Sequence, residues 1–169
     1  MDINTITADK AREILTKQYP PLKHNWVFDR KLLLLPDKQA ESILMSVTPQ
    51  KIALAMALLK ATEIKNIEEK KEQLFKILEK PETYNQQFKD QAFDCDDFGL
   101  VTNAFVKLKV AELNLPYNWA FAESSLVIPG RGIHNKNIYI RENYSLILYE
   151  PQNQEFTLPN GEIVFYTRM

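Results

Sequence analysis

The sequence predicts an α+β domain, and three observations predict it. Apolar residues in the first half recur at helical spacing between capping residues and prolines. One further helix then opens on the only cysteine. After Pro116 the pattern changes to short β-branched and aromatic runs separated by Gly, Asn and Pro. Helices followed by adjacent strands give an α+β arrangement, with a helical N-terminal half and a C-terminal antiparallel sheet. A chain of 169 residues, 45% of them apolar, suits a single domain over 1–169 with a sizeable core. Residues 1–80 read as a helical N-terminal layer or lid, and 81–169 as the core domain.

Thr7 is an N-cap candidate for a helix over Asp9 to Lys17, with Ile14 and Leu15 on one side, and Pro20-Pro21 ends it. Trp26-Val27-Phe28 reads as extended. Leu32 to Leu35 stops at Pro36, and Asp37 is a candidate cap for a short helix through Met45. Thr48-Pro49 combines a capping hydroxyl with proline at the first helical position. The helix after it, carrying Ile52, Leu54, Met56, Leu58 and Leu59, is apolar on most sides and is predicted to be buried. Glu68 to Lys80 reads as an amphipathic helix closed by Pro81, its charge run a solvated face. The next helix is predicted from Asp94 to about Leu113, with Val101, Phe105, Leu108 and Glu112 on one side. Strands are predicted at Trp119–Ala122, Ser125–Ile128, Ile138–Ile140, Tyr144–Tyr149 and Ile163–Tyr166, with turns at Pro129–Gly132, Asn143 and Pro159–Gly161.

A net charge of −1 with interspersed lysines gives no basic patch, so nucleic acid is not an expected partner. The first residues lack the basic and apolar blocks of a signal peptide, and the longest apolar runs are too short to cross a bilayer. No membrane partner and a cytoplasmic location are therefore expected; export by another route would leave no trace here. A single cysteine rules out an intramolecular disulfide and any site built from several thiolates.

That cysteine lies in Phe93-Asp94-Cys95-Asp96-Asp97-Phe98, at a predicted helix start. Unpaired N–H groups and the helix dipole there favour negative charge, which lowers a thiol's pKa toward the nucleophilic thiolate. Such a nucleophile needs a basic or cationic partner, usually histidine. Of the two histidines, His24 lies beside proline-rich turns in the first half, and His134 opens a predicted strand after Gly130-Arg131-Gly132. A third group must orient the imidazole. Glu150 closes the next strand-like run, and adjacent strands would bring it toward His134. Asn137 and Gln152 are rival orienting groups.

Cys-Asp-Asp-Phe at a helix start, a later histidine after glycine, and Glu150-Pro151-Gln152 past the next strand resemble the papain-like and transglutaminase-like cysteine enzymes. The nearest variant is the cysteine protease domain at the C-terminus of a mushroom agglutinin, to which bacterial and phage domains are also similar. The resemblance covers roughly Phe93 to Gln152. It implies a catalytic triad of Cys95, His134 and Glu150. The sequence departs from the usual pattern at Gly99, where related motifs often carry alanine. It departs again at Asn135 and Lys136, where a small residue and an aromatic are more usual.

Asp96 and Asp97 would repel a thiolate unless they point away or meet a cation. The resemblance includes a calcium-dependent member, so calcium is a candidate cofactor. Asp96, Asp97 and Glu150 are its candidate ligands, although no calcium-loop pattern is present. No cofactor is otherwise required. An oxyanion hole would combine a backbone N–H at Cys95 with an upstream donor from Gln86, Gln87 or Gln91, of which Gln91 is nearest. The implied activity is thiol-dependent hydrolysis of, or acyl transfer from, an amide bond of a peptide or protein substrate. Two readings from another class stand beside it: a non-catalytic interaction or assembly module on the same fold, and a calcium-stabilised binding domain.

Overall fold

A computed structural model describes residues 4–20, 24–26, 30–60, 95–114, 116–130 and 132–169, with the backbone alone at 24–26, 57–60, 96, 97 and 165. The elements in chain order are β1 (Thr5–Thr7), α1 (Ala8–Gln18), β2 (His24–Trp26), β3 (Lys31–Leu33), α2 (Asp37–Ser46), α3 (Pro49–Lys60) and α4 (Cys95–Glu112). Then come β4 (Phe121–Ile128), β5 (Gly132–Ile140), β6 (Leu146–Glu150), β7 (Glu155–Thr157) and β8 (Ile163–Arg168). The class is α+β. The helix expected over Glu68–Lys80 lies outside the described residues.

Among the described residues six strands form one sheet in the order β2-β8-β4-β5-β6-β7, antiparallel except where β2 runs parallel to β8. The first half is thus not purely helical. It gives β2 to the edge of this sheet, and β1 and β3 pair separately, Ile6 opposite Leu32. Backbone bonds tie that small pair to the chain entering β4: Leu33 N–H donates to Asn118 O (2.7 Å) and Ala120 N–H to Leu33 O (2.9 Å). Three-residue strands carry too little periodicity to be separated from loop in sequence.

The caps show which local signals held. Thr7 Oγ1 accepts from Lys10 N–H at 3.3 Å, and Thr48 Oγ1 from Lys51 N–H at 3.3 Å. Asp37 does not cap α2. The N-cap is Pro36, and both Asp37 oxygens are held by the guanidinium of Arg141, at the end of β5. A bidentate ion pair far along the chain takes the carboxylate that local spacing assigns to a cap.

One apolar cluster joins the two halves. Leu15, Leu32, Leu33, Leu34, Ala40 and Leu44 share it with Val106, Trp119, Phe121, Ile138, Leu148 and Val164. A second, smaller cluster sets Ile52, Ala55 and Met56 of α3 against Phe105 of α4. Helix α4 is therefore covered on two sides, by the sheet and by α3, which corrects its predicted inward stripe. Phe105, Val106 and Val110 are buried with Thr102 and Asn103, whereas Leu108 is 40% exposed and Glu112 is exposed. A helix packed on two sides has no single apolar stripe for periodicity to find.

Candidate active site

Strand β5 pairs with β4 along its whole length, from Gly132 opposite Ile128 to Tyr139 opposite Phe121, and with β6 over Asn137–Ile140. That second register sets Asn137 opposite Tyr149. His134 lies further along β5, beside the end of β6 where Glu150 stands. There His134 Nε2–H donates to Glu150 Oε2 in a short hydrogen bond, also an ion pair when the imidazole is protonated. The His134 side chain is about one quarter exposed and that of Glu150 9% exposed, so the pair is largely shielded from water. A neutral imidazole with its Nε2 proton on a carboxylate presents Nδ1 as the base.

Glu150 is further constrained by its own turn. Pro151 has no N–H to give, and Gln152 N–H donates to Glu150 Oε1 at 3.3 Å. The Gln152 side chain is exposed, so it is the backbone of this residue that meets the site, not the amide suggested by sequence.

Cys95 is the first residue of α4, half-buried, with a free thiol. Helix α4 crosses β5 and β4. Gly99 is the point of close approach: a methyl group there would lie 3.7 Å from Glu123 Cγ and 3.9 Å from Asn135 Cβ. Asn137, fully buried on β5, donates both amide hydrogens, to Gly99 O (3.0 Å) and Ala122 O (3.2 Å). It braces the helix against the sheet, and its N–H groups are not available to orient His134. In the sequence Asn137 is a rival orienter because a side-chain amide can hold an imidazole. Its packing partner across the sheet face is not visible there.

The structure thus brings His134 and Glu150 together and sets Cys95 at the start of the helix packed on the same strand. Among the described residues no hydrogen bond joins Cys95 to His134. Strict alternation along β5 places Asn135 and Asn137 toward α4 and His134 with Lys136 and Ile138 on the opposite face. Gly132 and Ile133, which precede His134 on β5, are exposed.

His24 lies on β2, separated from β5 by β8 and β4, so the rival histidine is remote within the sheet. Gln86, Gln87 and Gln91 lie outside the described residues, as do the side chains of Asp96 and Asp97. Among the described residues no three His, Cys, Asp or Glu side chains gather as a metal site, and Glu150 already meets His134 and Gln152 N–H. Sequence reasoning also passed over Glu123, which pairs with Arg168 at 3.3 Å and lies against Gly99. Its one signal is that it is the single charged residue of β4.

Fold and site together define an α+β domain with a carboxylate-held histidine at one end of its sheet and a lone thiol at the start of the helix packed on that sheet. No family model matches the chain, and no curated protein does. Among solved structures it is similar to the Polyporus squamosus lectin bound to the human-type influenza-binding epitope Neu5Aca2-6Galb1-4GlcNAc. The TM-score is 0.63 and the identity 15%, over 98% of this chain and 49% of that one. It is also similar to the PSL1a–E64 complex, with a TM-score of 0.62 and 16% identity over 98% of this chain and 50% of that one. At these identities the likeness is one of fold, and the chain spans about half the length of each neighbour.

Proposed function

We propose that this chain is a thiol-dependent hydrolase or acyltransferase acting on amide bonds of peptide or protein substrates, on a papain-like or transglutaminase-like variant of the α+β fold. The His134–Glu150 pair carries the reading. Two residues that sequence order assigned to base and orienting acid meet on neighbouring strands, with the carboxylate on Nε2 and Nδ1 left for a proton. Cys95 supplies the nucleophile from the first turn of α4, where backbone N–H groups have no intrahelical partner and favour a thiolate or a developing oxyanion.

In this reading His134 Nδ1 takes the thiol proton, and the Cys95 sulfur attacks the substrate carbonyl carbon. The tetrahedral intermediate collapses as the imidazolium protonates the leaving amine. Water, or a second amine, then attacks the thioester and frees the thiol. Glu150 holds the ring and stabilises its charged form throughout.

A non-catalytic binding module is the second reading. The missing Cys95–His134 hydrogen bond and the strand alternation favour it, as does a neighbour solved with a bound glycan epitope. The deciding experiment is the rate of Cys95 alkylation by iodoacetamide against pH, in wild type and His134→Ala, repeated with added calcium. The single cysteine makes the signal unambiguous. Fast labelling at about pH 5–6 that disappears in the variant is expected for a thiolate–imidazolium pair. A midpoint near the ordinary thiol value of about 8.5, unchanged by the substitution with or without calcium, leaves the binding module as the better reading.

A further inference from the structure

We infer that Asn137 is a positioning residue for the thiol, fixing the height of α4 over the sheet and through it the location of Cys95 relative to His134. The inference rests on the thiol-enzyme reading. Three elements meet at one buried amide: Asn137 stands on β5, three residues from His134, and donates to Gly99 O on α4 and to Ala122 O on β4. Gly99 is one turn from Cys95, and in a regular helix its N–H bonds to Cys95 O. A continuous line of hydrogen bonds therefore runs from the strand of the base to the backbone of the nucleophile.

The amide is fully buried, so its two hydrogen bonds are shielded from competition by water. Its own Oδ1 has no partner among the described residues. A side chain kept for burial alone would be apolar at this site. Burying an amide there is costly, and what it secures is the fixed seat of one helix turn. Freed of the brace, α4 can shift on the sheet, and a thiolate–imidazolium interaction weakens with distance.

The test compares Asn137→Leu with Ile138→Val, a core change on the same strand that leaves the Asn137 amide and its two hydrogen bonds in place. Both variants are expected to lower the melting temperature. Only Asn137→Leu is expected to move the alkylation profile of Cys95 upward in pH, with labelling at about pH 6 reduced roughly tenfold, the effect of about one pKa unit. The imidazole resonances of His134 should stay as in wild type, because its bond to Glu150 is untouched. If Asn137→Leu does not fold, Asn137→Ser, too short to span both carbonyls, takes its place and is read the same way. A folded Asn137 variant with the wild-type profile overturns the inference, and so does an equal shift in Ile138→Val. A wild-type protein with an ordinary thiol profile removes the thiol-enzyme reading itself, a result distinct from either.

Discussion

Replacing Gly99 by alanine should stabilise the protein, and the structure sets the size of the effect. Gly99 sits in the first third of α4, buried, at a backbone conformation open to any residue. Glycine inside a helix costs roughly 0.5–1 kcal/mol relative to alanine. The added methyl would meet Glu123 Cγ at 3.7 Å and Asn135 Cβ at 3.9 Å, which is ordinary van der Waals contact. Each such contact adds about 0.1–0.2 kcal/mol, and no atom has to move. The expected gain is about 1 kcal/mol. For a chain of this length that raises Tm by about 2–4 °C in calorimetry. The profile of Cys95 labelling should not change, because the carbonyl of residue 99 still accepts from Asn137. A lower Tm would refute the reasoning, since it would mean that the helix lies closer to the sheet than these distances allow.

Three other outcomes are expected. Burial pushes the phenols of Tyr139 and Tyr149 up to about 12, and that of Tyr19 further in the same direction. A raised folded value means that the neutral phenol is favoured in the fold, so this stability is complete below the unfolded value of about 10 and is lost as pH climbs toward the folded one. Phenolate absorbance from these residues should therefore appear together with the loss of circular dichroism; titration in a still-folded protein would contradict their burial. The Arg141 guanidinium lowers the Asp37 pKa through its hydrogen bonds, so this pair stabilises the fold above the ordinary aspartate range and stops doing so as pH falls through the lowered value. Arg141→Ala should cost at most about 1 kcal/mol at neutral pH, the pair being partly exposed, and the difference from wild type in urea melts should close in acid. Deleting residues 1–60 should give insoluble protein, because Leu15, Leu32 to Leu34 and Leu44 leave the shared core. A soluble, folded remainder with faster Cys95 labelling would show instead that this layer acts as a lid.

The parts of the fold legible in sequence are those with a local cause. Thr7 and Thr48 cap their helices because capping depends on the three residues that follow. The pairing of His134 with Glu150 was legible because β5 and β6 are consecutive strands, and a hairpin fixes register over a short loop. Asp37 was misassigned because its partner, Arg141, lies on another element. The roles of Asn137 and Gly99 depend on which helix crosses which strand, and periodicity within one element says nothing about that. The joining of β2 to β8 was hidden for the same reason, since parallel partners so far apart in the chain leave no shared local pattern.

The position of β8 has a consequence for the order in which the molecule is made. This strand lies inside the sheet, between β2 and β4, yet it follows the other five strands of that sheet in chain order and leaves a ribosome after them. Until it arrives, β4 keeps one open edge and β2 has no neighbour to pair with. The β4–β5–β6 meander needs nothing from β8 and can form from contacts close in sequence. The histidine and its carboxylate would then be assembled on a nascent, incomplete sheet, and the open edge of β4 would be the surface at risk of wrong pairing. A chaperone or a slow translation step acting on this protein would be expected to act in the interval between emergence of β6 and emergence of β8.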